Sequence, residues 1–220
     1  TLSMVSELKD HSEQFWQAES QHLTKRFQSK ISSIIEEESC KHFSLFALAP
    51  QPLLIKLGAL LTDKIDVETY QLHREPKGWF WQDCSDDFEY IINRPQNMDG
   101  KPALVLSLSD NVSHERITGV IGPDTSIWEV TIKQPHNDFM KSKQQLSLFR
   151  KCIRKLIVEI KNAHGDATPL QIFPVMPISC AVELGRARMP KADMTWLIYD
   201  HDIKTQQFVL AIELRGDLHE

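Results

Sequence analysis

The sequence predicts an α/β domain built from two pseudo-symmetric, Rossmann-like halves and preceded by a long helix. Short apolar runs typical of strands alternate with segments of helical periodicity, and this alternation favours a parallel sheet with right-handed crossovers. A stretch of the chain also repeats itself 127 residues later. The length of 220 residues suits one domain of this kind.

Composition places the chain among globular proteins and excludes several classes. Hydrophobic residues make up 41% and charged residues 25%, while 8 glycines and 11 prolines are too few for a low-complexity or collagen-like chain. The net charge of −5 argues against a surface that grips long nucleic acid but allows one small anion in a local basic pocket. No apolar run approaches the length of a membrane helix and no export signal is visible, so we expect a cytoplasmic protein.

The cysteines are scattered and contain no CxxC pair, so we expect reduced thiols and neither a zinc site nor a disulfide framework. They are Cys40, Cys84, Cys152 and Cys180.

Each element follows from the spacing of its apolar residues. A helical stripe without Gly or Pro across 6–38 predicts one long helix or two shorter ones, which suits a connector between domains. The first half is expected to hold strands at 43–49, 67–72 and 103–108, a half-exposed strand around 128–132, and a helix at 53–61. The second half is expected to hold helices at 138–164 and 178–188 and strands at 170–175, 195–199 and 208–214.

The basic residues of the 138–164 segment favour a solvated helix face, with a docking surface for a polyanion or partner domain as the alternative. They are Lys143, Arg150, Arg154 and Lys161.

The internal repeat is the most informative feature. A shift of 127 residues aligns Phe46 with Phe173, Pro50 with Pro177, Leu57-Gly58 with Leu184-Gly185, Lys64 with Lys191 and Asp66 with Asp193. The repeat predicts a duplicated strand, Pro-turn, helix and strand unit, with halves at about 43–135 and 136–220. Because ligands bind outside the carboxyl ends of such strands, a cavity between the halves would suit a ligand with its own twofold or cyclic repeat.

Enzyme signatures are absent from the sequence. It contains no GxGxxG, no Walker glycine loop, no HExxH and no GxSxG. The acids at 86–87 and 200–202 could hold a metal, but solvated loops explain them better. Ser179-Cys180 could place a nucleophile at a helix start, although a small residue packing there is the simpler interpretation.

Anion recognition has better support. Residues 49–53 and 176–180 each follow a strand and begin a helix, so free backbone N–H groups there could receive phosphate. Residues 73–81 combine cations with aromatic rings that could stack nucleobases. Core packing is the alternative for Trp79 and Trp81, and we expect Phe80 to be in the core. The polar residues at 107–111 suit base edges or ribose, or form a plain turn.

A family resemblance rests on several motifs together. They are Leu57-Gly58, the segment 70–74 followed by Trp79-Phe80-Trp81, the strand at 103–109, the stretch 173–186 that ends in Glu183-Leu184-Gly185-Arg186, and Tyr199-Asp200. Over residues 40–214 this combination resembles the SAVED domain of bacterial CBASS anti-phage systems. The resemblance implies a fusion of two CARF-like units that binds a cyclic oligonucleotide second messenger made by a cGAS/DncV-like nucleotidyltransferase. Ligand binding would then drive oligomerisation and activate an attached effector.

The long helix and compact size resemble the C-terminal part of HNH-SAVED endonucleases, although this chain contains no HNH residues. This implies a connector at 1–40 and a sensor domain at 41–220, and DNA contact only through an effector domain absent from this chain. Alternatives are a different effector (a TIR, protease or membrane module), a CARF-like ring nuclease that cleaves its ligand, or a purely structural oligomerisation domain.

The expected ligand is a cyclic di- or trinucleotide. We expect no cofactor, no catalytic residues and no association with a membrane. The candidate ligand-binding residues are Gln51, His73, Arg74, Trp79, Trp81, Ser109, Asn111, Met176, Ile178, Ser179, Arg186 and Tyr199.

Overall fold

A computed structural model of the chain describes residues 12–36, 42–62, 65–83, 87–202 and 204–216. The helices are α1 (Glu13–Phe27), continued by a π-helical turn (Gln28–Ser32) and α2 (Ser33–Glu36), then α3 (Gln51–Leu61), α4 (His114–Ile121), α5 (Lys143–His164) and α6 (Ile178–Ala187). The strands are β1 (Phe43–Leu45), β2 (Val67–Thr69), β3 (Ile91–Asn93), β4 (Lys101–Ser107), β5 (Thr125–Thr131), β6 (Leu170–Val175), β7 (Trp196–Asp202) and β8 (Gln207–Leu214).

The larger sheet has six strands in the order β3-β5-β4-β6-β7-β8. Its four central strands are parallel, and β3 and β8 pair antiparallel at the edges. The near-continuous apolar run of β4 is buried from Pro102 onward because helices cover both sheet faces. Helices α5 and α6 pack on the face that presents Leu104 and Leu106, and α4 packs on the opposite face.

The smaller sheet contains β1 and β2, which pair in parallel from Phe43 opposite Val67 to Leu45 opposite Thr69. Helix α3 connects these two strands and packs on α6 of the larger unit. The mixed α/β class predicted from the sequence is therefore confirmed.

The two repeated helices cross at their repeated glycines. A Cβ atom added to Gly58 would meet the Val182 carbonyl oxygen, and one added to Gly185 would meet the Ile55 carbonyl oxygen, each closer than 3.0 Å. These contacts are exchanged by the 127-residue shift, so the two helices are related by a local twofold. Only glycine permits such a close approach of backbones.

The division between the halves differs from the predicted boundary at 135/136. Strands β4 and β5 lie before that boundary, yet β4 pairs with β6 in the larger sheet. The first unit is therefore a small two-stranded unit, and residues 91–214 supply the whole larger sheet. Periodicity identifies strands but not the sheet in which each one pairs, so the predicted halves and the two sheets do not coincide.

The N-terminal helix packs on the domain more closely than we expected. The apolar side of α1 is buried in the main core through Phe15, Trp16, Leu23 and Phe27. Lys56 of α3 also donates hydrogen bonds to the Ser20 carbonyl (2.9 Å) and hydroxyl (2.7 Å). A helical segment is thus confirmed for 13–36, but its apolar face is occupied within the domain; residues 6–11 and 37–38 of the predicted helix lie outside the described residues.

Two elements were not anticipated, namely the edge strand β3 and helix α4. Both are short, and α4 buries only Ile117 and Ile121, too few positions to give a clear periodic signal. No helix in the described part of the chain is long and apolar enough to cross a membrane.

Candidate ligand-binding site

The larger sheet has a topological switch point between β4 and β6. The chain leaves β4 through α4 on one face towards β5, and leaves β6 through α6 on the other face towards β7. In open α/β sheets the ligand crevice lies outside the carboxyl ends of the two strands at this point. Here those ends are Ser107 and Val175.

The turns after these two strands are held together by backbone hydrogen bonds. The Leu108 and Ser109 amides donate to the Val175 carbonyl at 2.9 and 2.8 Å. Ser109 is buried, whereas Asn111 is exposed in the same turn. The backbone N–H of Asn111 donates a hydrogen bond to the Asp110 carboxylate. Two predicted site residues therefore lie at the switch point, and Asn111 presents its amide side chain to solvent.

The small unit joins the site through the first residue of α3. The Gln51 side-chain oxygen accepts a hydrogen bond from the Met176 amide at 3.4 Å. Both α3 and α6 begin after a proline, Pro50 and Pro177, and neither N-cap provides a side-chain hydrogen bond. The two repeated helix starts thus face one region with their positive dipole ends, as predicted for an anionic ligand.

Ser179 holds the segment after β2 against the start of α6. The Gln71 side-chain oxygen accepts from the Ser179 amide (3.2 Å) and hydroxyl (2.8 Å), and both residues are buried. Ile178, the first residue of α6, is half-buried, and Met176 is buried. The predicted residues of the second half are therefore next to the small unit, but the Ser179 hydroxyl already has a protein partner.

An aromatic group follows the two strands of the small sheet. Phe46 stacks on Tyr70 with ring centroids 4.4 Å apart, and Trp79 meets Phe46 edge-on at 5.3 Å. Trp81 stacks more loosely on Tyr70 and packs against the main core. The expectation that Phe80 belongs to the core was wrong, because its side chain is 88% exposed.

His73 lies beneath a tight turn beside Trp81. Its backbone pairs with Gly78, and neither ring nitrogen has a hydrogen-bond partner among the residues that the structure describes. Burial lowers the pKa of His73, the nearby Lys141 ammonium lowers it further, and Asp138 opposes the shift. The imidazole is therefore neutral at pH 7 and retains one donor and one acceptor.

The turn above His73 is fastened to the segment before α5. The Asp138 carboxylate accepts from the Arg74 and Glu75 amides, and Lys141 donates to both Asp138 and the Glu75 carbonyl. The turn is fixed through its backbone, so the Arg74 side chain remains exposed.

Arg186 has a structural role that the sequence interpretation missed. Its guanidinium donates to the Thr62, Ile65 and Val67 carbonyls and to the Glu183 carboxylate, which also accepts from Thr69. Every guanidinium nitrogen has a partner inside the protein. Arg186 therefore clamps the α3–β2 connection onto α6, and we no longer place it among ligand-binding residues.

Tyr199 is also placed inside the protein. It is buried in the core beneath α4, stacks on Phe173, and donates its hydroxyl hydrogen to the Gln171 side chain at 2.8 Å. This hydrogen bond is on the sheet face opposite α6. Tyr199 is therefore packed within the larger unit, and its hydroxyl already has a protein partner.

The basic residues of α5 are largely occupied by contacts within the domain. Lys143 pairs with Glu68, Arg150 pairs with the buried Glu183, and Lys161 donates to the Ala192 carbonyl. The alternative of a polyanion-docking surface on this helix is therefore disfavoured.

The structure gives no support to metal or thiol chemistry. No group of three or more His, Cys, Asp or Glu in the described ranges could hold a metal ion. Burial raises the pKa of Cys180 well above its ordinary value, which disfavours a thiolate. Cys152 and Cys180 are free thiols, while Cys40, Cys84 and Asp86 lie outside the described residues.

The fold is a mixed α/β domain in which a two-stranded and a six-stranded sheet are joined by a pair of crossed helices, α3 and α6. The sequence matches the SAVED family, described as the SMODS-associated and fused to various effectors sensor domain, over residues 23–214. The chain therefore belongs to the SAVED family of sensor domains. No curated protein matches the chain.

Solved structures similar to this chain carry the same fold. A SAVED/CARF-domain containing receptor, Cap4 from Acinetobacter baumannii, was solved with the cyclic trinucleotides 2′3′3′-cAAA and 3′3′3′-cAAA. Both structures have a TM-score of 0.64, 12% and 14% identity, and a match covering 93% of this chain and 44% of theirs. The Cap4 receptor from Moraxella osloensis has a TM-score of 0.56, 12% identity, and coverage of 93% and 43%. This chain spans less than half the length of these receptors.

Proposed function

We propose that this domain senses a cyclic oligonucleotide, a cyclic di- or trinucleotide, in bacterial anti-phage (CBASS) signalling. The observation that carries the proposal is the Gln51–Met176 contact, which joins the start of α3 to the switch-point turn of the larger sheet. A ligand above this contact can meet both helix starts together. A cyclic molecule with repeated phosphates matches a site built from repeated helix starts.

The family supports the ligand class. The Acinetobacter baumannii receptor of the same fold was solved with two cyclic trinucleotides that differ in linkage. Ring size, bases and linkage in this protein depend on the placement of a few polar groups.

The proposal extends to what ligand binding does. In a cytoplasmic bacterial protein, the ligand would fix the separation of the two units, promote self-association and activate a fused effector, for which an HNH DNA endonuclease is our first candidate. DNA contact belongs to that effector. Within this chain the domain acts as a sensor without catalysis.

A titration panel tests the proposal. Isothermal calorimetry with cyclic di-AMP, 3′3′-cyclic GMP–AMP and 2′3′3′- and 3′3′3′-cyclic tri-AMP should give saturable heat for at least one ring, with linear tri-adenylate as the control. No heat with any ring would favour a purely structural domain and reject the sensing role. Chromatography of the same mixtures should show intact ring; linear product would instead indicate a ring nuclease.

A further inference from the structure

The two units contain matching groups of three aromatic rings. In the small unit, Phe46 and Tyr70 stack with centroids 4.4 Å apart and planes 15° apart, and Trp79 is edge-on to Phe46. In the larger unit, Phe173 and Tyr199 stack at 4.4 Å and 14°, and Phe208 is edge-on at 5.2 Å. Phe46 and Phe173 are equivalent under the 127-residue shift, whereas the other two rings, Tyr70 and Trp79, precede Tyr199 and Phe208 by 129 residues, so the groups correspond with an offset of two residues.

The surroundings of the two groups differ. Phe173 is fully buried, because α4 and its residues Ile117 and Ile121 cover that sheet face. Among the described residues the small sheet consists of β1 and β2 without such a helix, and Phe46 remains 52% exposed although Tyr70 covers one of its faces. The small unit therefore presents a supported, flat ring to solvent in the turn that leads to Gln51.

Two cations lie on the turn next to this ring group. Backbone hydrogen bonds between His73 and Gly78 close the turn, which puts Arg74 and Lys77 beside Trp79. Both cationic side chains are exposed, and in the described part of the chain neither has a side-chain partner. A flat apolar ring next to free cations suits a nucleotide, whose base stacks and whose phosphate pairs with positive charge. An apolar protein partner would gain nothing from those charges.

Resting on the proposed function, we propose that Phe46 is the stacking platform for one nucleobase of the cyclic oligonucleotide. Tyr70 supports the platform from behind, Trp79 forms its side wall, and Arg74 and Lys77 face the adjacent phosphate. The equivalent ring in the larger unit is inaccessible, so only the small unit stacks a base in this way. A ligand with unlike bases therefore binds in one preferred orientation despite the pseudo-symmetry of the domain.

Binding measurements on Phe46 variants test the assignment, using the same panel of cyclic di- and trinucleotides. Phe46→Ala and Phe46→Leu should weaken binding of the cyclic nucleotide with the highest affinity roughly five- to hundredfold, because neither alanine nor leucine stacks a base. Phe46→Tyr should retain affinity within about threefold, because the ring remains. Met98→Ala and Val120→Ala are the controls, since both are exposed apolar side chains outside the candidate site, one before β4 and one near the end of α4. Both controls should bind as the wild type does.

The outcomes separate this inference from the proposed function. If the wild type binds no ring in the panel, the sensing role and the platform are both rejected. If the wild type binds and Phe46→Leu binds equally well, only the platform is rejected. If Phe46→Ala retains affinity but no longer self-associates with ligand in sedimentation velocity, the ring is an interface residue and the stacking assignment is wrong.

Discussion

Gly58 and Gly185 occupy equivalent positions on two helices that touch through them. Each glycine lies against the backbone carbonyl of the other helix three residues before the other glycine, Val182 and Ile55. This reciprocal contact sets the distance between the helix starts at Pro50 and Pro177. The crossing therefore limits the arrangements that the two halves of the candidate site can adopt.

The first prediction concerns this crossing. Gly58→Ala or Gly185→Ala should each lower the free energy of unfolding by about 1–3 kcal/mol, because the added methyl forces apart two packed backbones. Urea denaturation measures the loss. Gly119→Ala is the control: Gly119 lies in α4 with open space around it, so alanine should be neutral or stabilise by up to about 1 kcal/mol. Equal stability of all three variants would contradict the close crossing.

The second prediction concerns the Arg186 clamp. Arg186→Met should destabilise the domain by about 3–5 kcal/mol, because the buried Glu183 carboxylate is then left with Arg150 and Thr69, and three backbone carbonyls lose their donor. Adding Glu183→Gln should recover part of the loss, since it removes a buried charge that has lost one of its two cations. Lys151→Ala, an exposed change on α5, should stay within about 0.5 kcal/mol of wild type. An Arg186→Met variant that is fully stable but binds ligand poorly would instead support a ligand-binding role for Arg186.

Arg186 also illustrates where sequence interpretation was limited. Strands β4 and β6 were found because a continuous apolar run has a strong local signal. The direction of an arginine side chain and the choice of sheet for β4 depend on long-range contacts, which leave no local pattern. Phe46 was recognised as part of the repeat, yet its exposure depends on the absence of a helix over the small sheet, which periodicity does not reveal.

The third prediction follows from the buried amine of Lys56. Burial lowers its pKa from 10.5 to about 8, so the folded protein binds fewer protons than the unfolded chain between those values. The free energy of unfolding should therefore rise with pH in this window, by up to about 3 kcal/mol at roughly 1.4 kcal/mol per pKa unit. Urea titrations of wild type and Lys56→Met at pH 7, 8.5 and 10 isolate this contribution. A stability difference between the two proteins that does not change with pH would show that the amine titrates normally.

The fourth prediction concerns the phosphate contact that we propose for Arg74. Arg74→Ala should weaken binding of the cognate ring several-fold and reduce the slope of log Kd against log salt, because one counterion-releasing contact is removed. Lys191→Ala removes the same charge beyond the far end of α6 and should leave the slope unchanged. Calorimetry at three salt concentrations is sufficient. A wild-type slope in Arg74→Ala would assign this side chain no part in ligand recognition.

The last prediction concerns assembly. A cyclic nucleotide that touches both helix starts stabilises only one separation of the two units. Its differential affinity for that arrangement shifts the population of molecules towards it. Since α1 is packed on the core and Lys143, Arg150 and Lys161 of α5 have partners within the domain, the surfaces left for contact between copies include exposed apolar side chains, such as Val158, Met189 and Leu210. We expect a monomer or dimer without ligand and a larger species with it.

Light scattering at fixed protein concentration measures this change in mass, with the cognate cyclic nucleotide as the ligand and linear tri-adenylate as the control. An unchanged mass under conditions where calorimetry shows saturation would reject assembly while leaving ligand binding intact.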